Sequence, residues 1–397
     1  MTPPPQPPPP APSWRGRGRG RAPRGPVRVL VADDSAVVRR LVTGALGRDR
    51  GIEVVGTAAD GRSALAQVVE LLPDVVTMDV EMPHLDGIAA VRALRAAGLQ
   101  VPVIMLSTLT ERGATATLDA LTAGASDYVA KPSGAVSLNE SLRQLAADLL
   151  PRIHALATGV PLLQPTTAAP VLRGAVPARV VVLGSSTGGP EALARLFGSL
   201  AEPPAVPLLV VQHMPAVFTR QLAGRLDRIG PTEVVEATDA VLLAPGHAYV
   251  APGDRHLTVV ADGDRVRTAV TDTPPLNYYR PSVDMLFRAA AEVFGSAVHA
   301  VVLTGMGTDG RDGASAVVSA GGTVHVQDAA SSVVWGMPGA VAQAGLAHDV
   351  LPLEELARAI AAAGTIGGAG AGAGTIGGAG VRPIARGGLS GPRVVRR

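Results

Sequence analysis

The chain has 397 residues, a length that suits two domains better than one core; it is 47% hydrophobic but only 3% aromatic, so its cores must rest on Ala, Val and Leu. It contains no cysteine, which excludes disulfides, thiolate metal sites and a thiol nucleophile, and suits a reducing compartment. The net charge of +2 comes from the ends: residues 1–26 and 364–397 carry five Arg each and no acid, so the middle stands at −8, which argues against a nucleic-acid-binding fold.

Residues 1–26 are rich in Pro, Arg and Gly and are expected to be a disordered tail. From Val27 a strand–helix alternation begins. The apolar runs 27–32, 53–58, 74–80 and 101–107 read as buried parallel strands, with helical periodicity at 35–47, 61–72, 86–97 and 111–123 between them. A short strand at 128–130 and a helix near 137–157 complete five βα units, predicting a doubly wound α/β domain of flavodoxin type over 27–157. Residues 158–177 read as a linker.

A second alternation runs from 178 to 363. Strands are predicted at 179–185, 207–213, 298–305 and 323–327, with helices starting at Pro190, Phe218 and Asp312 and helices near 282–294 and 353–362. Shorter β-like pieces fill 233–270. This is a second doubly wound, mostly parallel, Rossmann-like α/β domain. The segment GTIGGAG occurs twice in the Gly/Ala tract after 364, expected to be a flexible tail. No apolar run reaches a membrane-spanning length of about 18 residues and the N-terminus lacks a signal-peptide core, so a cytoplasmic protein without membrane insertion is expected.

Polar groups gather where the first five strands end. Asp33 and Asp34 follow the first, Asp79 ends the third, Ser107 ends the fourth, and Lys131 follows the fifth. Ligands of open parallel sheets bind at that edge. Three carboxylates there repel unless a cation neutralises them, and hard oxygen donors suit Mg²⁺. Asp79 is then a nucleophile towards a phosphoryl group, with Lys131 stabilising its charge. Of 35 basic residues 34 are Arg, and the single Lys131 stands where a compact ammonium is needed. The plainer alternative makes such acids helix caps, as Asp34-Ser35 and Asp86 could be.

Gly184-Ser185-Ser186-Thr187-Gly188-Gly189 joins a strand to a helix opening on Pro190. It satisfies G-x-S-x-G and places the Ser186 hydroxyl on a sharp turn beside helix N-terminal N–H groups. A phosphate-binding turn is the alternative for this segment alone. His213 ends the next strand as base, and Asp309 follows a later one as its orienting acid. The order Ser, His, Asp differs from that of α/β-hydrolases. His84, His154 and His348 lie outside these strand ends, and His247 and His256 fall in the β-rich insert.

The segments VADDS, DVVTMDVEMPHLDG, LSTLTERG and YVAKP resemble the receiver domain of bacterial response regulators over about residues 27–150. That resemblance implies phosphotransfer from a partner histidine kinase to Asp79, Mg²⁺ held by Asp33, Asp34 and Asp79, a switch at Ser107, a rotating aromatic at Tyr128 and a cis Lys131–Pro132 bond. GSSTGGPEAL, VQHMPAVFTRQLAGRL, VVLTGMGTDGRDG and SSVVWGMPGAV resemble the catalytic domain of the chemotaxis protein-glutamate methylesterase family over 178–363. This second resemblance implies phosphorylation-controlled hydrolysis of glutamate methyl esters on chemoreceptors, releasing methanol, with deamidation of receptor glutamines. It also implies oxyanion donors near Thr187 and Met306, and needs no cofactor at the ester site. Where the family pattern has His-Arg-Pro, this chain has Tyr279-Arg280-Pro281, which leaves Arg280 to meet an acidic receptor surface. The alternative from another class is a response regulator whose second domain binds a ligand or protein without catalysis.

Overall fold

The structure, a computed structural model, describes residues 25–132, 137–158 and 177–364. The expected tails and linker lie almost wholly outside the described residues.

The first domain alternates β1 (Val27–Ala32), α1 (Ala36–Leu46), β2 (Ile52–Ala58), α2 (Gly61–Leu71), β3 (Val75–Asp79), α3 (Gly87–Ala96), β4 (Val103–Ser107), α4 (Glu111–Thr122), β5 (Asp127–Ala130) and α5 (Leu138–Thr158). Its five parallel strands lie in the order β2-β1-β3-β4-β5. Every residue of β3 and β4 is buried, as continuous apolar runs covered by helices on both faces require. Ser35, Asp60, Asp86 and Thr110 each accept an N–H of the first turn of α1, α2, α3 and α4. Each such cap is worth about 1 kcal/mol. Asp86 is therefore a cap, whereas Asp34 caps nothing and stands exposed at the acidic edge.

The second domain contains β6 (Val180–Ser185), α6 (Gly189–Gly198), β7 (Leu208–Gln212), α7 (Ala216–Asp227), β8 (Glu233–Glu236), β9 (His247–Val250), β10 (His256–Asp262), β11 (Arg265–Thr271) and α8 (Val283–Phe294). It continues through β12 (Val298–Val302), α9 (Arg311–Ser319), β13 (Thr323–Gln327), α10 (Met337–Gln343), β14 (Asp349–Leu351) and α11 (Leu353–Ala362). Seven parallel strands order as β14-β13-β12-β6-β7-β9-β8. The β-rich insert divides: β8 and β9 extend this sheet, while β10 and β11 form an antiparallel hairpin. Phe197, Phe218 and Phe287 are fully buried among aliphatic side chains, which supply most of the core.

In both sheets the first strand lies between neighbours reached in opposite directions. The crevice beyond the carboxyl ends of β1 and β3, and that beyond β6 and β12, are therefore the two switch points at which such sheets bind ligands.

The two domains meet along α4 and α7. The Arg225 guanidinium donates to the Leu118 carbonyl and to the Thr122 hydroxyl, and Tyr128 stacks on Phe218 with ring centroids 4.6 Å apart.

Candidate active site and phospho-acceptor site

At the first switch point Asp33, Asp34 and Asp79 each bring a carboxylate oxygen within 4.8 Å of the others. Lys131 Nζ lies 2.8 Å from Asp33 Oδ2 and 2.8 Å from Asp79 Oδ1. Burial alone would lower the Lys131 pKa, but its hydrogen bonds to the two carboxylates outweigh burial and hold it above the ordinary value. Burial likewise pushes Asp79 up, only partly opposed by Lys131. One ammonium thus shares two of the three acids. Hard oxygens with one member open to water are the donor set that suits Mg²⁺, so the residues fit that ion.

Ser107 lines the same small cleft as Asp34, Asp79 and Lys131. Its hydroxyl accepts from Thr117 at 2.6 Å and approaches the Gly113 carbonyl at 3.2 Å, tying the acceptor edge to α4. Tyr128 is buried, with its ring against the second domain. Lys131–Pro132 is not cis; the cis X–Pro bond among the described residues is Arg280–Pro281. Lys131 instead meets both carboxylates while its backbone N–H donates to Ser107 O at 2.7 Å.

The second switch point collects Ser186 after β6, His213 after β7 and Asp309 between β12 and α9. The His213 Nε2–Asp309 Oδ2 distance is 2.9 Å. A carboxylate only accepts, so Nε2 carries the proton and Nδ1 is left as the basic nitrogen. Nδ1 is buried and without a hydrogen-bond partner, and His213 and Ser186 both line a cleft of about 480 Å³.

Asp309 is fixed by the start of α8. Its Oδ2 accepts from Val283 N at 2.7 Å, and its Oδ1 accepts from Asp284 N and from the Ser282 hydroxyl, both at 3.0 Å. The two N–H groups are orphan donors of a helix N-terminus, where negative charge is favoured. Burial would raise the Asp309 pKa, but the His213 imidazole and these N–H groups outweigh it and hold the carboxyl below its usual range. Asp284 in turn accepts from Gly310 N and Gly313 N, at 2.9 and 2.6 Å, and so pins the turn carrying Asp309.

Gln212 braces the turn that carries Ser186. Its Nε2 donates to Ser186 O at 2.9 Å, and its Oε1 accepts the Ser185 hydroxyl at 2.7 Å. Gly189 is required beside it, because a Cβ there would lie 2.0 Å from Gln212 Oε1. Gly305 allows a similar approach: its Cβ would stand 2.9 Å from Ser186 Cβ. Ser282, Asp284 and Gln212 were not singled out from the sequence. The one usable signal was position, Gln212 directly preceding His213 and Ser282-Val283-Asp284 directly following the Tyr279-Arg280-Pro281 segment.

Thr187, Met306 and Arg280 line the same cleft. Arg280 Nη1 lies 3.4 Å from the carbonyls of Asp272 and Thr273. The first domain closes one side of the cleft with Tyr128, Ala147 and Arg152. Thr187, next to Ser186, donates its hydroxyl to Asp127 Oδ2 at 2.7 Å, and Arg152 Nε lies 3.2 Å from that same oxygen.

The sequence model of the CheB methylesterase family matches residues 181–360, and that of the response regulator receiver domain matches 29–143. A protein-glutamate methylesterase/protein-glutamine glutaminase of Nocardioides sp. is 55% identical over 343 residues, covering 83% of this chain and 93% of that protein. One of Trichodesmium erythraeum is 44% identical over 345 residues, covering 84% and 97%. The crystal structure of the Thermotoga maritima CheB methylesterase catalytic domain shares 42% identity, covering 47% of this chain and 98% of that one, with a TM-score of 0.46.

Proposed function

Because the chain belongs to the CheB methylesterase family and carries a response regulator receiver domain in front, we propose that it is a phosphorylation-controlled, cytoplasmic hydrolase of glutamate γ-methyl esters on chemoreceptors, which also deamidates receptor glutamines. The two reactions share one acyl intermediate and differ only in the leaving group, methanol or ammonia.

The observation that carries the mechanism is the unpartnered Nδ1 of an imidazole whose Nε2 is held by Asp309, on a residue that lines one cleft with Ser186. The Ser186 oxygen attacks the ester carbonyl while its proton passes to His213 Nδ1. The carbonyl oxygen gains negative charge, met by backbone N–H groups near Thr187 and Met306. His213 then gives its proton to the departing methoxide. Water, deprotonated by the same nitrogen, releases the glutamate and restores Ser186. Asp309 stabilises the imidazolium throughout.

Control rests with the receiver. Asp79 accepts a phosphoryl group from a histidine kinase, and Lys131 offsets charge at that carboxylate. Asp33, Asp34 and Asp79 would hold Mg²⁺, which when bound would further neutralise the phosphoryl charge. Tyr128 and Arg152 line the Ser186 cleft and Asp127 holds the neighbouring Thr187, so movement of the receiver opens that side of the cleft to a receptor substrate.

A serine-directed phosphonylating probe tests the chemistry. The phosphorylated chain is expected to label at Ser186, and the His213→Ala chain is not. Absence of label under phosphorylating conditions turns the reading to an output domain that binds without catalysis.

A further inference from the structure

Tyr279 lies flat against the His213 imidazole, with ring centroids 4.3 Å apart and planes 15° from parallel. The tyrosine is itself held from two sides. Its N–H donates to Leu276 O at 2.9 Å, and Leu276 N–H donates to Tyr279 O at 3.1 Å. Between them Asn277 and Tyr278 both adopt left-handed backbone, with φ of 50° and 72°. Positive φ at both central positions is the signature of a type I′ turn, a tight connection with a defined exit direction. At the other end the phenol reaches Gly307, where a Cβ would lie 2.5 Å from Tyr279 Oη. Gly307 follows Met306, so the ring bridges from its own turn to the turn that borders the Ser186 cleft. Burial, reinforced by nearby Asp309, pushes the phenol pKa up, so the group stays neutral.

A planar ring on the face of an imidazole has two consequences. It blocks rotation of the imidazole out of the plane that the bond from Nε2 to Asp309 selects, so the ring keeps one orientation. It also attracts that imidazole more strongly once the ring has gained a proton, because an aromatic face favours a cation. An interaction stronger in the transition state than in the ground state raises kcat rather than lowering KM. We propose that Tyr279 is a positioning residue for ester hydrolysis, holding the His213 ring plane and stabilising the charge it acquires. This rests on the assignment of Ser186 and His213 to that reaction. Any planar ring preserves the contact, whereas an aliphatic side chain does not.

Methanol release from a methylated chemoreceptor by the phosphorylated full chain, measured for kcat and KM, tests the role. Tyr279→Phe keeps the ring and is expected within about twofold of wild type, whereas Tyr279→Leu loses about tenfold in kcat, equivalent to about 1.4 kcal/mol, with KM little changed. A Tyr279→Leu chain with wild-type kcat, or a loss confined to KM, overturns the proposal. So does an equal loss in Tyr279→Phe, which assigns the effect to the hydroxyl. Should Tyr279→Leu not fold, Tyr279→His decides: activity near wild type supports the ring contact and a tenfold loss of kcat overturns it. A wild-type chain that releases no methanol overturns the esterase assignment instead.

Discussion

Asp309 accepts five hydrogen bonds: from His213, Ser282, Val283, Asp284 and Gly310. Its lowered pKa is also a statement about stability. An acid whose folded pKa lies below the unfolded value stabilises the fold above that unfolded value, and the contribution disappears as pH falls through the folded one. Urea unfolding of wild type and Asp309→Asn is therefore expected to give a gap that is steady from neutral pH to about 5 and narrows below about 4. A gap that persists unchanged into strong acid would contradict this. The gathering of Ser186, His213 and Asp309 at one sheet edge was legible because each stands at or beyond a predicted strand end, where sheet geometry gives a lone polar residue meaning. Gln212, Ser282 and Asp284 were not, since their task is to satisfy particular backbone groups on other elements, and nothing in their own neighbourhood announces those groups.

Between elements, α4 packs against α7 and β5 meets the Ser186 turn, and the proposed control is assigned to these contacts. Arg225 reaches from α7 to two acceptors on α4, and a hydrogen bond from a charged group contributes about 1.5 kcal/mol or more. Arg225→Ala is expected to raise the methanol release of the unphosphorylated chain by about fivefold, while the phosphorylated rate stays as it was. An unchanged basal rate would remove α4 and α7 from the control mechanism.

At the opposite end of the strands, β12, β13 and β14 are joined by a chain of polar contacts. His299 Nε2 lies 3.0 Å from His325 Nδ1, and His325 Nε2 lies 3.2 Å from an Asp349 oxygen. Burial, with neighbouring His325 and His348, pulls the His299 pKa down to about 3. Between there and its unfolded value of about 6.5, only the unfolded chain takes up this proton, so stability falls as pH falls through that window, by up to about 1.4 kcal/mol per pH unit. His299→Val is expected to flatten the slope of urea-unfolding stability against pH between about 6 and 4. An equal slope in both chains would refute it. The strands β12 and β13 were readable from their apolar runs, but β14 and α10 were not: three and seven residues are too few for a periodicity to declare itself.

For the molecule as a whole, two sheets of the same winding each place chemistry at a switch point, and the first domain borders the crevice of the second. The division into two α/β domains was legible because two alternations are separated by a stretch without period. Five polar positions at the ends of four of the five receiver strands, with the chain's only lysine among them, pointed to a shared edge without any relative. Which face of the receiver meets the second domain was not legible. That contact depends on Tyr128, Asp127 and Arg225 meeting partners 60 to 107 residues away, a pairing that no local pattern encodes. The central claim, that a phosphoryl group on Asp79 governs ester hydrolysis at Ser186, is tested most directly by methanol release from a methylated chemoreceptor with and without a phosphodonor. The wild-type chain is predicted to accelerate on phosphorylation, Asp79→Asn to stay at the basal rate, and Ser186→Ala to release nothing. Equal rates with and without phosphodonor, or methanol from Ser186→Ala, would contradict the account.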